Sequence, residues 1–447
     1  MKVLVLIDGE HHPRVTRWGL QAVRARGFEP VAALLLGGTE KLSPGEVPDL
    51  GIPVALAHET PRVALGEAID EWAPEGIVDL SDEPVVGYRE RMELASVALA
   101  RGLPYEGSDF RLEPPVEGPP LPAPVLSVIG TGKRTGKTAI TGALARLAAD
   151  EGLDPVVVAM GRGGPDEPDV APAGSVTLER LLDLVRSGAH AASDYLEVAI
   201  TSGVTTVGAR RAGGGLAGRP MATDVRVAAE LAAGLETRAP GKRILVLDGS
   251  GAAVPPVPWD AGVLVVPATL PPEYLGGYLG PLRLLLSDLV VVTMAHSPAG
   301  LENLPTLRSH VERLSGDARL IVSEFEPVPL GDVRGRDAFF TTTAPRAIAA
   351  RQVDILERTH GCRVVGWSAG LADRAGLARD LDGAEAYDVL LTELKAAAVD
   401  LACDRAIARG AEVIFVDNRA VAVEEGIDLH AAMRETVDLA MERFAHR

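Results

Sequence analysis

The sequence predicts a doubly wound α/β protein with a mostly parallel sheet, preceded by a smaller α/β domain. Three features carry that expectation. Short apolar runs alternate with helix-spaced segments along most of the chain, a glycine-rich turn joins one apolar run to an amphipathic helix, and a proline-dense stretch divides the chain unequally.

The elements follow in order. Val3 to Ile7 is a continuous apolar run, the pattern of a strand buried on both faces. Arg14 to Arg26 carries Val15, Trp18, Ala22 and Ala25 near helical spacing and stops at Gly27. Pro30 to Leu36 reads as a second strand, Val63 to Trp72 as a helix, and Gly76 to Leu80 as a third strand. Residues 1–113 are therefore expected to form an N-terminal α/β domain. Ligands gather beyond the carboxyl ends of such strands, which is where Asp8-Gly-Glu-His-His-Pro-Arg14 falls. The expected role of this domain is substrate access or anion binding. Residues 114–124 hold six prolines, too many for a helix or an internal strand, and read as a stiff linker.

Residues 125–447 repeat the pattern on a larger scale. Val125 to Ile129, Pro155 to Ala159, Ile244 to Leu247, Gly262 to Val266, Leu289 to Thr293 and Leu320 to Ser323 read as strands. Asp388 to Leu394, a helix through Val399, Cys403 and Ile407, and Val413 to Val416 add a further βαβ unit.

Charge and composition bound the function. With 44 basic and 62 acidic residues the net charge is −18, which argues against a general nucleic-acid or membrane-surface binder, since either needs a broad basic face. The two cysteines, Cys362 and Cys403, form neither a disulfide framework nor a metal pair. The longest apolar stretch, Ala261 to Leu301, is interrupted by Pro271, Pro272, Glu273, Arg283 and Asp288, and the N-terminal run is too short for a signal peptide, so a cytoplasmic protein is expected.

The strongest chemical signal is Gly130-Thr-Gly-Lys-Arg-Thr-Gly-Lys-Thr138 between a strand and a helix. Gly130, Thr131, Gly132, Lys133, Arg134, Thr135, Gly136, Lys137 and Thr138 are expected to wrap a nucleotide's phosphates with inward-pointing N–H groups. This makes the larger domain P-loop NTPase-like. Lys137 would neutralise β- and γ-phosphates, and the Thr138 hydroxyl would ligate Mg²⁺. The loop is one residue longer than the standard spacing, because Thr131 occupies the position of the first glycine. Lys133 and Arg134 read as transition-state or second-substrate contacts rather than as solvated charges. Asp248 ends the apolar run Ile244 to Leu247 and reads as a Walker-B-type metal position, against the alternative of a simple turn aspartate. Lys133, Arg134, Lys137 and Asp248 are the candidate catalytic residues.

Further cations collect in glycine-rich segments. Arg162 follows a strand in Gly161-Arg-Gly-Gly, and Arg210, Arg211 and Arg219 lie in a segment, 201–219, read as a flexible loop suited to gripping a polyphosphorylated anion. Each taken singly is equally a hydrated surface arginine. His11 and His12, with Arg14 and Arg17, read as an anion contact or a solvated turn. Glu393, Lys395 and Asp417-Asn-Arg419 end later strands and serve substrate or base, or simply begin a turn. The candidate substrate-binding set is His11, His12, Arg14, Arg162, Arg210, Arg211 and Lys395.

The glycine loop resembles that of dethiobiotin synthetase-like P-loop ligases, and Val246-Leu-Asp-Gly-Ser-Gly251 looks like their second acidic motif. The whole chain, from Val3-Leu-Val-Leu-Ile-Asp-Gly-Glu-His-His-Pro13 through Thr392-Glu-Leu-Lys-Ala396 and Phe415-Val-Asp-Asn418, more specifically resembles the cyclic 2,3-diphosphoglycerate synthetases. The resemblance implies a homodimeric, ATP-consuming ligase that closes a phosphoanhydride between the two phosphates of 2,3-diphosphoglycerate, releasing ADP and phosphate. A substrate of that charge facing ATP needs a dense cationic screen. The alternatives are a P-loop ligase joining a carboxylate to an amine, and a P-loop switch ATPase.

Overall fold

The computed structural model describes residues 1–38, 47–186, 194–237, 239–315, 318–394 and 399–447. The N-terminal region runs β1 (Lys2–Ile7), α1 (Pro13–Ala25), β2 (Glu29–Leu35), β3 (Val54–Leu56), α2 (Pro61–Trp72), β4 (Gly76–Asp79), α3 (Tyr88–Ala100), β5 (Tyr105–Glu106) and β6 (Arg111–Leu112). Its sheet has the order β3-β2-β1-β4-β5-β6, parallel except for the last pair. The unbroken apolar run of β1 is explained by its central place: Val3, Leu4, Val5 and Leu6 are all fully buried.

The remainder begins with β7 (Val125–Gly130), α4 (Lys137–Asp150), β8 (Asp154–Gly161), β9 (Asp169–Ala171), α5 (Leu178–Arg186), α6 (Asp194–Ser202), β10 (Thr205–Ala212), β11 (Ala222–Thr223) and α7 (Val225–Gly234). It continues through β12 (Arg243–Asp248), β13 (Ala261–Pro267), α8 (Glu273–Gly276), α9 (Gly280–Leu285), β14 (Leu289–Thr293), α10 (Pro298–Ser315) and β15 (Arg319–Pro329). It closes with β16 (Asp337–Thr341), α11 (Arg346–Ile355), β17 (Arg363–Ser368), α12 (Arg374–Asp382), β18 (Val389–Thr392), α13 (Val399–Ala408), β19 (Glu412–Ala422) and α14 (Leu429–Ala445).

All these strands share one thirteen-stranded sheet, ordered β11-β10-β8-β12-β7-β13-β14-β15-β19-β18-β16-β17, with β9 paired on β10. Pairing is parallel except at β9–β10, β10–β11 and β15–β19. Thus the fold is α/β with a doubly wound, mostly parallel P-loop-type sheet and a smaller α/β region before it.

One expectation needs correction. The segment 201–219 is not one flexible loop, because Thr205–Ala212 is strand β10, paired in register with β8. The β-branched Thr205, Thr206 and Val207 favour strand despite the glycines that follow. The proline-rich stretch, expected as a stiff linker, carries no helix or strand and is anchored by contacts of its own. Leu121 and Ala123 are buried, Arg226 donates to the carbonyls of Glu117 (2.9 Å) and Pro119 (3.2 Å), and Arg219 pairs with Glu117 at 2.6 Å.

The two sheets are packed together through helices. Leu279 and Leu282, at α9, share one apolar core with α2 and α3, and burying a leucine is worth about 2 kcal/mol. Around it Arg62 donates to the carbonyls of Leu314 (2.7 Å) and Arg313 (2.8 Å), and Arg313 pairs with Glu93 at 2.8 Å. Among the described residues no helix is long and apolar enough to cross a membrane.

Candidate active site

The phosphate loop lies between β7 and α4 as its spacing requires. Lys137 and Thr138 open the helix and are nearly buried, and the Lys137 ammonium donates to Gly132 O at 2.9 Å. Two glycines are dictated by geometry. A Cβ on Gly130 would stand 2.9 Å from Lys137 Cδ, and Gly136 has φ of +90° with Phe325 against it, where a Cβ would lie 2.2 Å from the ring. Arg134 is left-handed at φ +58°, a conformation costing a non-glycine residue about 1 kcal/mol. The loop is braced from β14, two strands away in the sheet, since Thr293 Oγ1 donates to Thr135 O at 2.8 Å.

The residues fit a nucleoside triphosphate and its metal on their own geometry. The loop is a glycine cradle at a helix N-terminus, and the Thr131 hydroxyl within it is buried with no hydrogen-bond partner in the structure. Asp248 is buried at the carboxyl end of β12 and pairs in register with Val128 of β7, so it stands beside the loop that carries Thr138.

A cationic cluster adjoins this loop. Lys133 and Arg134 are exposed, and a Cβ on Gly251 would lie 3.7 Å from Lys133 Cγ and 3.4 Å from an Arg211 nitrogen, so the two cations flank one glycine. Arg211 is only 6% exposed, and its guanidinium donates to Ser250 O at 2.8 Å and to Gly213 O. Burial lowers its pKa most, the nearby charge of Arg162 lowers it further, and Asp194 opposes both. Arg162, exposed beyond the end of β8, is therefore within electrostatic reach of Arg211.

Strand alternation separates the neighbouring arginines. Arg210 faces away from Arg211 and is exposed, 2.8 Å from Asp166 and with its backbone N–H on Asp224 at 2.7 Å. Arg219 is engaged with Glu117 of the linker. Neither joins the cluster around Gly251 through the contacts it makes.

The N-terminal sheet has its own ligand edge, at the crevice between β1 and β4 where the strand order reverses. Two buried acids occupy it. Asp8 accepts from the backbone of Glu10 (3.0 Å), His11 (3.3 Å) and Asp82 (2.8 Å), and His11 Nδ1 sits 2.8 Å from its carboxylate. Asp79 accepts from Ser81, from Arg91 Nε at 2.9 Å and from the Tyr105 hydroxyl at 2.7 Å. His12 and Arg14 are exposed.

A third edge lies at the ends of β16 and β18. Glu393 is buried there and accepts from the Thr342 hydroxyl (2.7 Å), from the Thr343 N–H and hydroxyl (both 2.8 Å) and from Asn418 Nδ2 (3.1 Å). Asp417 pairs with Arg146 at 3.1 Å and with Arg419 at 3.2 Å. Lys395 lies outside the described residues.

Sequence reasoning passed over Arg283, an arginine 7% exposed in α9. Burial pushes its pKa down to about 10, and its guanidinium donates to Leu279 O (3.0 Å) and Ala252 O (2.7 Å). Its only signal was a lone cation inside Gly280-Pro-Leu-Arg-Leu-Leu-Leu286.

Comparisons with known proteins agree across the chain. Family models described as the N-terminal, P-loop and C-terminal domains of cyclic 2,3-diphosphoglycerate synthetase match residues 2–113, 125–323 and 329–419. The protein of that name from Rubrobacter xylanophilus is 50% identical over 432 residues, 96% of each chain. The one from Methanothermobacter thermautotrophicus is 40% identical over 456 residues, covering 99% of this chain and 97% of that one. Among solved structures, LpxK from Aquifex aeolicus in complex with ATP gives a TM-score of 0.44 at 15% identity, over 79% of this chain and 96% of that one, too remote to inform the site. With family models along its length and a relative identical at half its aligned positions, this chain belongs to the cyclic 2,3-diphosphoglycerate synthetase family.

Proposed function

We propose that this chain is a ligase that uses Mg-ATP to close the phosphoanhydride ring of cyclic 2,3-diphosphoglycerate from 2,3-diphosphoglycerate, releasing ADP and phosphate. The observation that carries the reading is a phosphate loop beside a second cationic cluster, with Lys133 and Arg211 flanking Gly251. Arg211 is buried and fixed beside the loop by the carbonyls of Ser250 and Gly213, a second cation placed where an anionic co-substrate would need one.

In this reading Gly130 to Thr138 hold the triphosphate, with Lys137 at its β- and γ-phosphates. Thr138 and Asp248 would hold Mg²⁺, which neutralises phosphate charge when bound. Lys133, Arg134, Arg162 and Arg211 screen the substrate's phosphates and carboxylate against the nucleotide. One substrate phosphate accepts the γ-phosphoryl group, forming a P–O–P bond as the bond to ADP breaks. The substrate's other phosphate then attacks the inner phosphorus, closing the ring as inorganic phosphate leaves. Both groups belong to one molecule, so closure is favoured over bimolecular attack. Exposed Leu216, Met221, Val227 and Leu231 offer apolar surface to a second copy in a homodimer.

Phosphorus NMR of the protein with Mg-ATP and 2,3-diphosphoglycerate tests the reading. New phosphoanhydride resonances with stoichiometric ADP and phosphate are expected, absent in Lys137→Ala. ATP hydrolysis with the substrate untouched would overturn the substrate assignment and leave the nucleotide loop standing.

A further inference from the structure

Arg283 occupies a place where a cation is unfavourable. It is almost wholly buried in an apolar segment, the hydrogen bonds it makes go to backbone carbonyls, and its Nε has no hydrogen-bond partner in the structure. A methionine of similar length would fill the space without desolvating a charge, so packing does not account for an arginine.

Its two hydrogen bonds join different parts of the molecule. One holds Leu279 O, at the start of α9, where Leu279 and Leu282 enter the apolar core of the N-terminal region. The other reaches Ala252 O, in the turn after Asp248. The same turn is gripped from its far side by Arg211 on Ser250 O. Between the two held carbonyls, Gly251 takes φ of +60° and lies against the Lys133 side chain. An unbroken chain of contacts thus runs from the seat of the N-terminal region, through Arg283 and the turn 250–252, to Lys133 and Arg211.

We propose that Arg283 is a positioning residue that transmits the seating of the N-terminal region to the turn at Ser250–Ala252, and so sets Lys133 and Arg211 for the anionic substrate. The inference rests on the reading of that cluster as the site of 2,3-diphosphoglycerate. The packing of the N-terminal region is in this way felt at the phosphate loop through α9 and the turn at Ser250–Ala252.

Arg283→Met and Arg283→Lys test it in the full-length protein. In Arg283→Met the thermal midpoint is expected to hold or rise, because a buried charge is removed. The KM for 2,3-diphosphoglycerate is expected to rise about tenfold, the equivalent of about one lost hydrogen bond, while that for Mg-ATP stays within about twofold. Arg283→Lys, which keeps the charge and can reach one carbonyl, should recover part of the loss. Amide hydrogen exchange at residues 249–254 should quicken in Arg283→Met whether or not substrate is turned over. That readout keeps the proposal separate from the substrate assignment. If wild type fails to cyclise 2,3-diphosphoglycerate, the assignment falls and the exchange result still decides the coupling. Unchanged exchange, or a falling midpoint with both KM values rising together, would overturn it. Should Arg283→Met not fold, Arg283→Lys decides, since an unaltered KM and unaltered exchange there would reject the role.

Discussion

Two sheet edges in this molecule obey the same topological rule and present opposite chemistry. At the P-loop edge cations face outward or are held by backbone: Lys133 and Arg134 are exposed, Arg162 lies beyond β8, and the buried Arg211 is held by the carbonyls of Ser250 and Gly213. At the N-terminal edge the polar groups are spent on one another. Asp8 and Asp79 take up the surrounding N–H groups, His11, Arg91 and Tyr105. An edge that satisfies itself is braced, whereas an edge whose cations are held by carbonyls suits the anion proposed for it.

The largest effect should come from Lys137→Ala, which removes the cation at the head of α4. ADP release is expected to fall by about three orders of magnitude or more, with a thermal midpoint near wild type. Substantial turnover would break the comparison at its stronger side.

Arg211 and its neighbour sharpen it. Arg211→Met should lower kcat/KM for 2,3-diphosphoglycerate by about a hundredfold, as expected for losing a charge-assisted contact. Arg210→Met should change it by no more than about twofold, because its partners are Asp166 and Asp224. Equal losses at both positions, measured by coupled ADP assay, would mean that strand alternation does not sort them.

Asp79→Asn probes the braced edge. It weakens the buried hold on Arg91 and Tyr105, so the thermal unfolding free energy should fall by about 1–3 kcal/mol with activity per folded molecule unchanged. Smallest of all, His12→Ala and Arg14→Ala should each leave the KM for 2,3-diphosphoglycerate within about twofold, since both side chains are exposed. A larger rise would show that substrate reaches this edge, where His11, His12 and Arg14 are expected from the sequence to bind it.

What the sequence disclosed and what it concealed follow from the reach of each interaction. The phosphate loop was legible because its chemistry lies within consecutive residues, Gly130 to Thr138. The core strands were legible because burial on both faces leaves unbroken apolar runs such as Val263 to Val266. The opposed roles of Arg210 and Arg211 were not, because glycines on either side masked the strand that separates them. The acidity of the N-terminal edge was hidden for another reason. His11, His12 and Arg14 stand together in the chain, whereas Asp79, and Asp82 whose N–H reaches Asp8, arrive from about seventy residues further along. Strands β16 and β17 gave weak signals, with Asp337 and Arg363 at their starts and Gly366 within. Arg283 was concealed by burial itself, since a sequence does not show that a cation is held by backbone carbonyls.

One feature of the fold bears on how the molecule can be divided. The P-loop and C-terminal family models meet between residues 323 and 329, and that junction falls inside β15. There the strand pairs antiparallel with β19 from Ser323 to Pro329. A fragment ended at this junction would strip the partner ladder from the sheet and leave a raw margin of unpaired backbone, so the isolated P-loop piece should self-associate rather than fold cleanly. Continuity of the sheet makes the C-terminal region a graft that cannot be lifted off.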